Sequence, residues 1–287
     1  MPRRRRVPRR WPRGLVELGP GVFAYLSGSG EPGMANAGLV TSDEGVLLVD
    51  SLLPAFGRAL RRAVRRASRA PVRYVVNTHY HIDHMAGNGG FPRATVIAHA
   101  QCRREALEIG SDMEMWARRL PRFADDLRAL QPRPPSLTYE DRMVLYLGGR
   151  EVHLLHLGRA HTRGDTLVYL PQEKVLFAGD VVCVHVVSGP PDAHVTGWLR
   201  VLDRLGGLDV EMVVPGHGPV ADRKAISEMR ELLSLLRREA RKAYREGLPP
   251  AEAARRLRLG GYFGAWAGQE RIPVYMERIY MELRGEL

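Results

Sequence analysis

Between Asn77 and Gly90 the chain reads NTHYHIDHMAGNGG, with His79, His81, Asp83 and His84 inside six residues. Neither helix nor strand packing calls for that composition. Imidazoles and a carboxylate in a Gly/Asn-rich loop are the donor set of a metal site. In an extended loop, residues i and i+2 point the same way, so His79 and His81 can grip one ion together. Asp83 and His84 lie further around the turn and can face a second ion. Each ion then needs a donor from far along the chain. His161 in GRAHTRGD and His217 in PGHG are the natural third ligands, and Asp180, which ends VLFAGD, has two oxygens with which to bridge.

Zinc takes three or four N, O or S ligands at ~2.0–2.3 Å. Two such ions per chain, ~3.5–4 Å apart, would hold a shared hydroxide at neutral pH and polarise a carbonyl or phosphoryl oxygen. Iron or manganese also accepts these donors. His99, His153 and His156 read as packing residues on strands. His185 and His194 follow Asp180 in a loop, where they could line the site without ligating. Asp50, which ends GVLLVD, is either a surface cap or a carboxylate that orients the histidine loop.

All these residues must be presented by a scaffold, and the pattern supplies one. GVFAYLSG, NAGLVTS, GVLLVDS and VRYVVNT read as strands, with a helix from Pro54 to Arg69 before the fourth. ATVIAHA is another strand, followed by a helix. A further helix is expected from Met113 to about Leu130, then the loop QPRPPS. DRMVLYLGG pairs with REVHLLHLG as a hairpin, and DTLVYLP with KVLFAGD as a second one turning at PQEK. A helix from Val195 to Leu205, the strand VEMVVPGHG, a long helix from Asp222 to Glu246 and two helices near 249–257 and 272–284 complete the chain. Two halves of similar design imply an α/β protein of two sheets packed face to face, with helices on both outer faces.

Composition limits the partners. The 287 residues are 45% hydrophobic and 26% charged, ordinary for a globular chain. No apolar run reaches the ~18 residues of a membrane span. MPRRRRVPRRWPRG lacks the apolar segment of a secretory signal, and Cys102 and Cys183 make no disulfide framework, so a cytoplasmic location is the default. The net charge is +11, but residues 1–13 carry seven arginines and no acid. They are expected to form a disordered basic arm that could touch nucleic acid, a partner not favoured because the charge is away from the motifs. A small-molecule substrate is favoured instead, and the oligomeric state is open.

The motifs together resemble the metallo-β-lactamase superfamily. THYHIDHMAGN is similar to its H-x-H-x-D-H signature, GRAHTRGDTLVYLPQEKVLFAGDVV to the segment with its next histidine and bridging acid, and VVPGHG to its last histidine. The resemblance implies an αββα sandwich over residues 14–225, a C-terminal helical extension over 226–287, and two zinc ions. One would be held by His79, His81 and His161, the other by Asp83, His84 and His217, with Asp180 between them. It further implies metal-bound hydroxide attacking the carbonyl of a small ester, lactone, thioester or β-lactam, with Asp83 orienting or shuttling the proton. Where zinc β-lactamases use cysteine as a second-metal ligand, this chain carries Asp180 instead, as glyoxalase II and lactonase branches do. Where they hold the antibiotic's carboxylate with lysine stands Cys183. The alternatives are a metal-dependent phosphodiesterase or nuclease and a mononuclear iron enzyme of the persulfide dioxygenase kind.

Overall fold

A computed structural model describes residues 7, 8, 10–109 and 113–287. The first sheet joins β1 (Gly14–Gly19), β2 (Val22–Leu26), β3 (Ala37–Thr41), β4 (Val46–Val49), β5 (Val72–Val76), β6 (Thr95–His99) and β7 (Leu137–Tyr139) in chain order. Its first four strands are antiparallel and β4 to β7 run parallel. The second sheet joins β8 (Arg142–Leu147), β9 (Arg150–Leu155), β10 (Leu167–Leu170), β11 (Val175–Gly179), β12 (Met212–Pro215) and β13 (Ala221–Asp222). Its one parallel pair among the described residues is β11 with β12.

The helices are α1 (Pro54–Ala67), α2 (Ile82–Met85), α3 (Ala100–Ile109), α4 (Met113–Arg119), α5 (Ala124–Arg128), α6 (Val195–Leu205), α7 (Lys224–Arg245), α8 (Pro250–Arg256), α9 (Gly260–Phe263) and α10 (Ile272–Arg284). Three apolar cores define the layers. Between the sheets, Val40, Leu47 and Val76 meet Val152, Val168 and Phe177. Outside the first sheet, Leu60 and Val64 of α1 cover Leu39, Leu48 and Val96. Outside the second sheet, α6, α7 and α10 bring Trp198, Leu233 and Met276 against Leu176 and Val213. This is the expected αββα sandwich. The C-terminal helices share a core with its second sheet. β4 and β11 are buried on every residue, which is why they read as unbroken apolar runs rather than alternating ones.

Three expectations change. The helix expected over Met113–Leu130 breaks into α4, a 3-10 turn at Pro121–Phe123 and α5. Proline at 121 removes a backbone donor and clashes with the preceding turn. The strands β1 and β7 were not expected: β1 is half-buried with little alternation, and β7 spans three residues. The arm expected over residues 1–13 does not hold for its described part. Residues 1–6 and 9 lie outside the described part, but Val7 packs on one core and Trp11 is buried in another. Among the described residues no helix is long and apolar enough to cross a membrane.

Candidate metal centre

The parallel strands β5, β11 and β12 all end at one edge of the sandwich, and the loop between β9 and β10 turns there too. The histidine loop leaves β5, Asp180 leaves β11, and His217 leaves β12. Asn77 and Asn88 clamp the two ends of the histidine loop. Asn77 Nδ2 donates to Asn88 Oδ1 at 3.0 Å, and Asn88 Nδ2 donates to Asn77 Oδ1 at 2.8 Å. The loop 50–53 presses on it, with Ser51 N–H donating to the His84 carbonyl at 2.7 Å. Gly87 is required by this approach, because a Cβ there would stand 2.1 Å from the Ser51 carbonyl oxygen. His161 is held by a buried turn in which Asp165 accepts from the backbone and hydroxyl of Thr162.

Seven donors converge in two groups: His79, His81, His161 and Asp180, and Asp83, His84 and His217. Three of the imidazoles, those of His79, His84 and His217, are aimed by what their other nitrogen meets. His217 Nδ1 lies 3.1 Å from the Met34 carbonyl, which can only accept, so Nε2 keeps its lone pair. His84 Nδ1 lies 2.7 Å from Asp50 Oδ2. Asp50 also accepts from the Thr78 amide at 2.8 Å and hydroxyl at 2.7 Å, and that hydroxyl oxygen faces His79 Nδ1 at 3.0 Å. One carboxylate therefore orients two histidines, and it does so at a left-handed φ of 60° that costs a non-glycine residue energy.

The spacings suit shared cations. His161 Nε2 is 3.1 Å from His81 Nδ1 and 3.4 Å from Asp180 Oδ2. Asp180 Oδ1 is 3.3 Å from His84 Nε2 and 3.4 Å from His217 Nε2, which is 3.5 Å from Asp83 Oδ2. Two ligands ~2.0–2.1 Å from a tetrahedral ion stand about 3.3 Å from each other. Asp180 turns one oxygen to each group, the disposition a bridging ligand needs. His79 Nε2, His84 Nε2 and Asp180 Oδ1 are buried without a hydrogen-bond partner among the described residues. Buried polar atoms are rarely left so, and divalent cations at the two donor groups would satisfy all three.

The protonation states agree. Burial, opposed by Asp180, holds His161 down at about 3, and burial with the neighbouring His84 and His81 holds His79 well below the imidazole range. Burial works against the Asp180 carboxylate, but His217, His84 and His161 keep it ionised well below its ordinary value. His84 stands well above its ordinary value because Asp50 and Asp180 outweigh its burial; its Nε2 proton is the one a cation displaces.

The remaining expected residues sit elsewhere. Cys183 is fully buried, its Sγ 3.9 Å from the Asp180 carbonyl oxygen, so it lies behind the site and cannot meet a substrate. His194 caps α6, accepting from Gly197 N–H at 2.9 Å. His185, at a left-handed φ of 60°, packs on Tyr262 and Trp266. Neither lines the cleft over the metal donors. His99 and His156 stack at 3.9 Å, outside both donor groups.

Other residues carried no motif. Asn36 is buried and holds the PGHG loop, donating to the carbonyls of Pro215 at 2.9 Å and Gly218 at 2.8 Å. Asp192 accepts from the Tyr80 hydroxyl and stands 3.7 Å from His81 Nε2. Above the donors opens a cleft of about 540 Å³ with His81, Asp83, Asp180 and His217 in its floor. One wall is α4, with Trp116 and Arg119; the other is α10, with Val274, Arg278 and Met281, and Arg271 just before its first residue.

A family model described as the metallo-beta-lactamase superfamily matches residues 30–217. The alpha subunit of 2,4-dinitroanisole O-demethylase from Nocardioides sp. (strain JS1661) is 31% identical over 188 residues, 62% of this chain and 51% of that subunit. Acyl-coenzyme A thioesterase MBLAC2 of Bos taurus is 30% identical over 225 residues, 70% of this chain and 79% of the thioesterase. The stereoselective inverting sec-alkylsulfatase Pisa1 from Pseudomonas sp. superposes with a TM-score of 0.75 at 20% identity, over 96% of this chain and 51% of that one. The chain spans about half the length of the demethylase subunit and of the sulfatase. With a family model covering more than half its residues and the fold to match, the chain belongs to the metallo-beta-lactamase superfamily.

Proposed function

We propose that this chain is a dinuclear zinc hydrolase that cleaves an acyl bond in a small molecule, with esters and thioesters ahead of lactones and β-lactams. The observation that carries the reading is the convergence of seven donors at ligand-to-ligand spacing, four of them in the floor of an open cleft. A volume near 540 Å³ is in the range of small-molecule sites. The similarity to an acyl-coenzyme A thioesterase over 70% of the chain supports the acyl bond and the thioester.

His79, His81 and His161 would hold one ion and Asp83, His84 and His217 the other, with Asp180 shared. Such a pair, when bound, activates water at neutral pH and polarises a carbonyl oxygen. The chain's own residues do the rest. Trp116, Leu120, Val274 and Met281 seat the apolar part of the substrate and keep bulk water from it. Asp83 opens to the cleft and is partly exposed, so it is placed to take a proton from the attacking water and return it to the leaving group. Water adds to the carbonyl carbon, the C–O, C–S or C–N bond breaks, and a carboxylic acid leaves with the alcohol, thiol or amine. Cys183 is buried, so it cannot itself anchor the carboxylate of a β-lactam.

Elemental analysis of protein purified without chelator, beside a panel of a thioester, a lactone, nitrocefin and bis-p-nitrophenyl phosphate, tests the reading. Two zinc ions per chain with fastest turnover of the thioester is expected. Iron at one per chain, or turnover confined to the phosphodiester, would replace it with the iron-enzyme or phosphodiesterase alternative.

A further inference from the structure

We propose that the cleft selects acyl substrates that carry an anionic group at the end remote from the scissile bond, and that Arg278 of the C-terminal helix and Arg271 at its N-terminal cap anchor it, faced by Arg119. The proposal rests on the acyl-hydrolase reading and names the substrate class of that site.

The helix α10 has two working faces. Ile272, Tyr275, Met276 and Ile279 are buried in the core against the second sheet. Arg271, Val274, Arg278 and Met281 recur at helical spacing on another face and line the cleft over the metal donors. This wall lies beyond residue 217, where the family match stops.

Both guanidinium groups are held in place with donors to spare. Arg271 Nη1 donates to the Val187 carbonyl at 2.7 Å, and its Nε is 3.6 Å from the exposed Glu270. Arg278 Nε donates to the Ala193 carbonyl at 2.9 Å, and its Nη1 reaches Met281 Sδ at 3.8 Å. A guanidinium has five N–H donors, and no bond is made by Nη2 of either among the described residues. The acids beside Arg278 are occupied. Asp192 takes the Tyr80 hydroxyl, and Glu282 takes the Val195 and Thr196 amides and the Thr196 hydroxyl. Glu277 is exposed and is the one other acid on this wall among the described residues.

Across the cleft, Arg119 stacks over Trp116 at 5.3 Å and makes no ion pair among the described residues, whereas Arg122 is engaged by Glu31 at 3.0 Å. Three arginines thus face a cleft whose other wall residues are mainly apolar. Fixed guanidinium forks over an apolar slot fit a carboxylate or other oxyanion on an acyl chain.

Matched esters isolate that group. The mono-p-nitrophenyl ester of glutaric acid and p-nitrophenyl pentanoate share a scissile bond and chain length, and differ in a terminal carboxylate or methyl. On zinc-loaded protein, the ratio of kcat/KM for the anionic over the neutral ester is expected to be ~10–100, the range of charge-assisted hydrogen bonds. R271Q and R278Q should each lower that ratio about tenfold, mainly through KM, and R278K should restore part of it. Calorimetric titration with 4-phenylbutyrate should show the same order of affinities, with any contact to the metals common to all variants. A wild-type ratio near one overturns the proposal. So does a fall in both esters alike that leaves the ratio intact, since that is the mark of arginines that only staple the 187–193 loop. If neither ester turns over, the acyl-hydrolase reading fails by itself, and the titration still decides the anion site: equal affinity in wild type and R278Q refutes it.

Discussion

Replacing Asp50 by asparagine should weaken the binding of one of the two proposed metal ions. The carboxylate is 2% exposed and accepts three hydrogen bonds, from the Thr78 amide, the Thr78 hydroxyl and His84 Nδ1. Asparagine has the same shape but brings an NH₂ group to one side. If that group faces His84, two donors meet unless the imidazole moves its proton to Nε2, the nitrogen needed for the ion. If it faces the Thr78 amide, two donors meet there instead. Either way one buried donor is left unpaired, at a cost of ~1–3 kcal/mol. Partners of this kind typically govern about 10- to 100-fold in metal affinity. Competition against a chromophoric chelator resolves the two binding steps, and circular dichroism checks the fold. One ion should bind ~10- to 100-fold more weakly in Asp50→Asn while the other changes less. Two ions held with wild-type affinity would show that Asp50 is only a structural cap.

Four further outcomes are expected. Gly216→Ala should abolish metal binding and activity, because its Cβ would stand 2.0 Å from Asp180 Oδ1; elemental analysis reads it. Burial, with Asp192 and Asp165 nearby, raises the Glu105 carboxyl to about 7 from 4.5. The native state then binds the extra proton between those values, and that share of stability is lost as pH rises through the window. Glu105→Gln should therefore raise Tm at pH 8 and not at pH 4. Deleting residues 1–6 should leave Tm unchanged, while Trp11→Ala should cost ~3–5 kcal/mol in denaturant melts, the range for a buried large aromatic. Cys183→Lys buries an ammonium behind Asp180, so thermal melts should show strong destabilisation, with no gain in nitrocefin turnover.

The seven donors were legible because imidazole and carboxylate in a glycine-bounded loop have no packing reason to be there. The layers were legible because β4 and β11 are continuous apolar runs and α1 is amphipathic. What the sequence hid depends on tertiary neighbours. Asn36 carries no motif, and its two carbonyl partners lie about 180 residues away. Asp50 gave two equal readings until His84 stood beside it. Trp11 looked like part of an arginine-rich arm because one aromatic has no period. Arg271 and Arg278 drew no reading, because the spacing that marks a buried helix face does not say what lies over the other one.

The site draws His79, His81, Asp83 and His84 from one sheet and His161, Asp180 and His217 from the other, and this sets the order of events at the ribosome. From His79 to His217 the chain must lengthen by 138 residues (217 − 79). Until it has, the second proposed ion cannot find its full set of ligands, and the first must wait for Asp180, 101 residues on (180 − 79). Metal capture is thus a late step in biogenesis, after both sheets have been made and docked. A truncated or misregistered nascent chain would hold the proposed metal weakly and surrender it to the cell's chelators. Occupancy in purified protein would then report how faithfully the two halves were assembled.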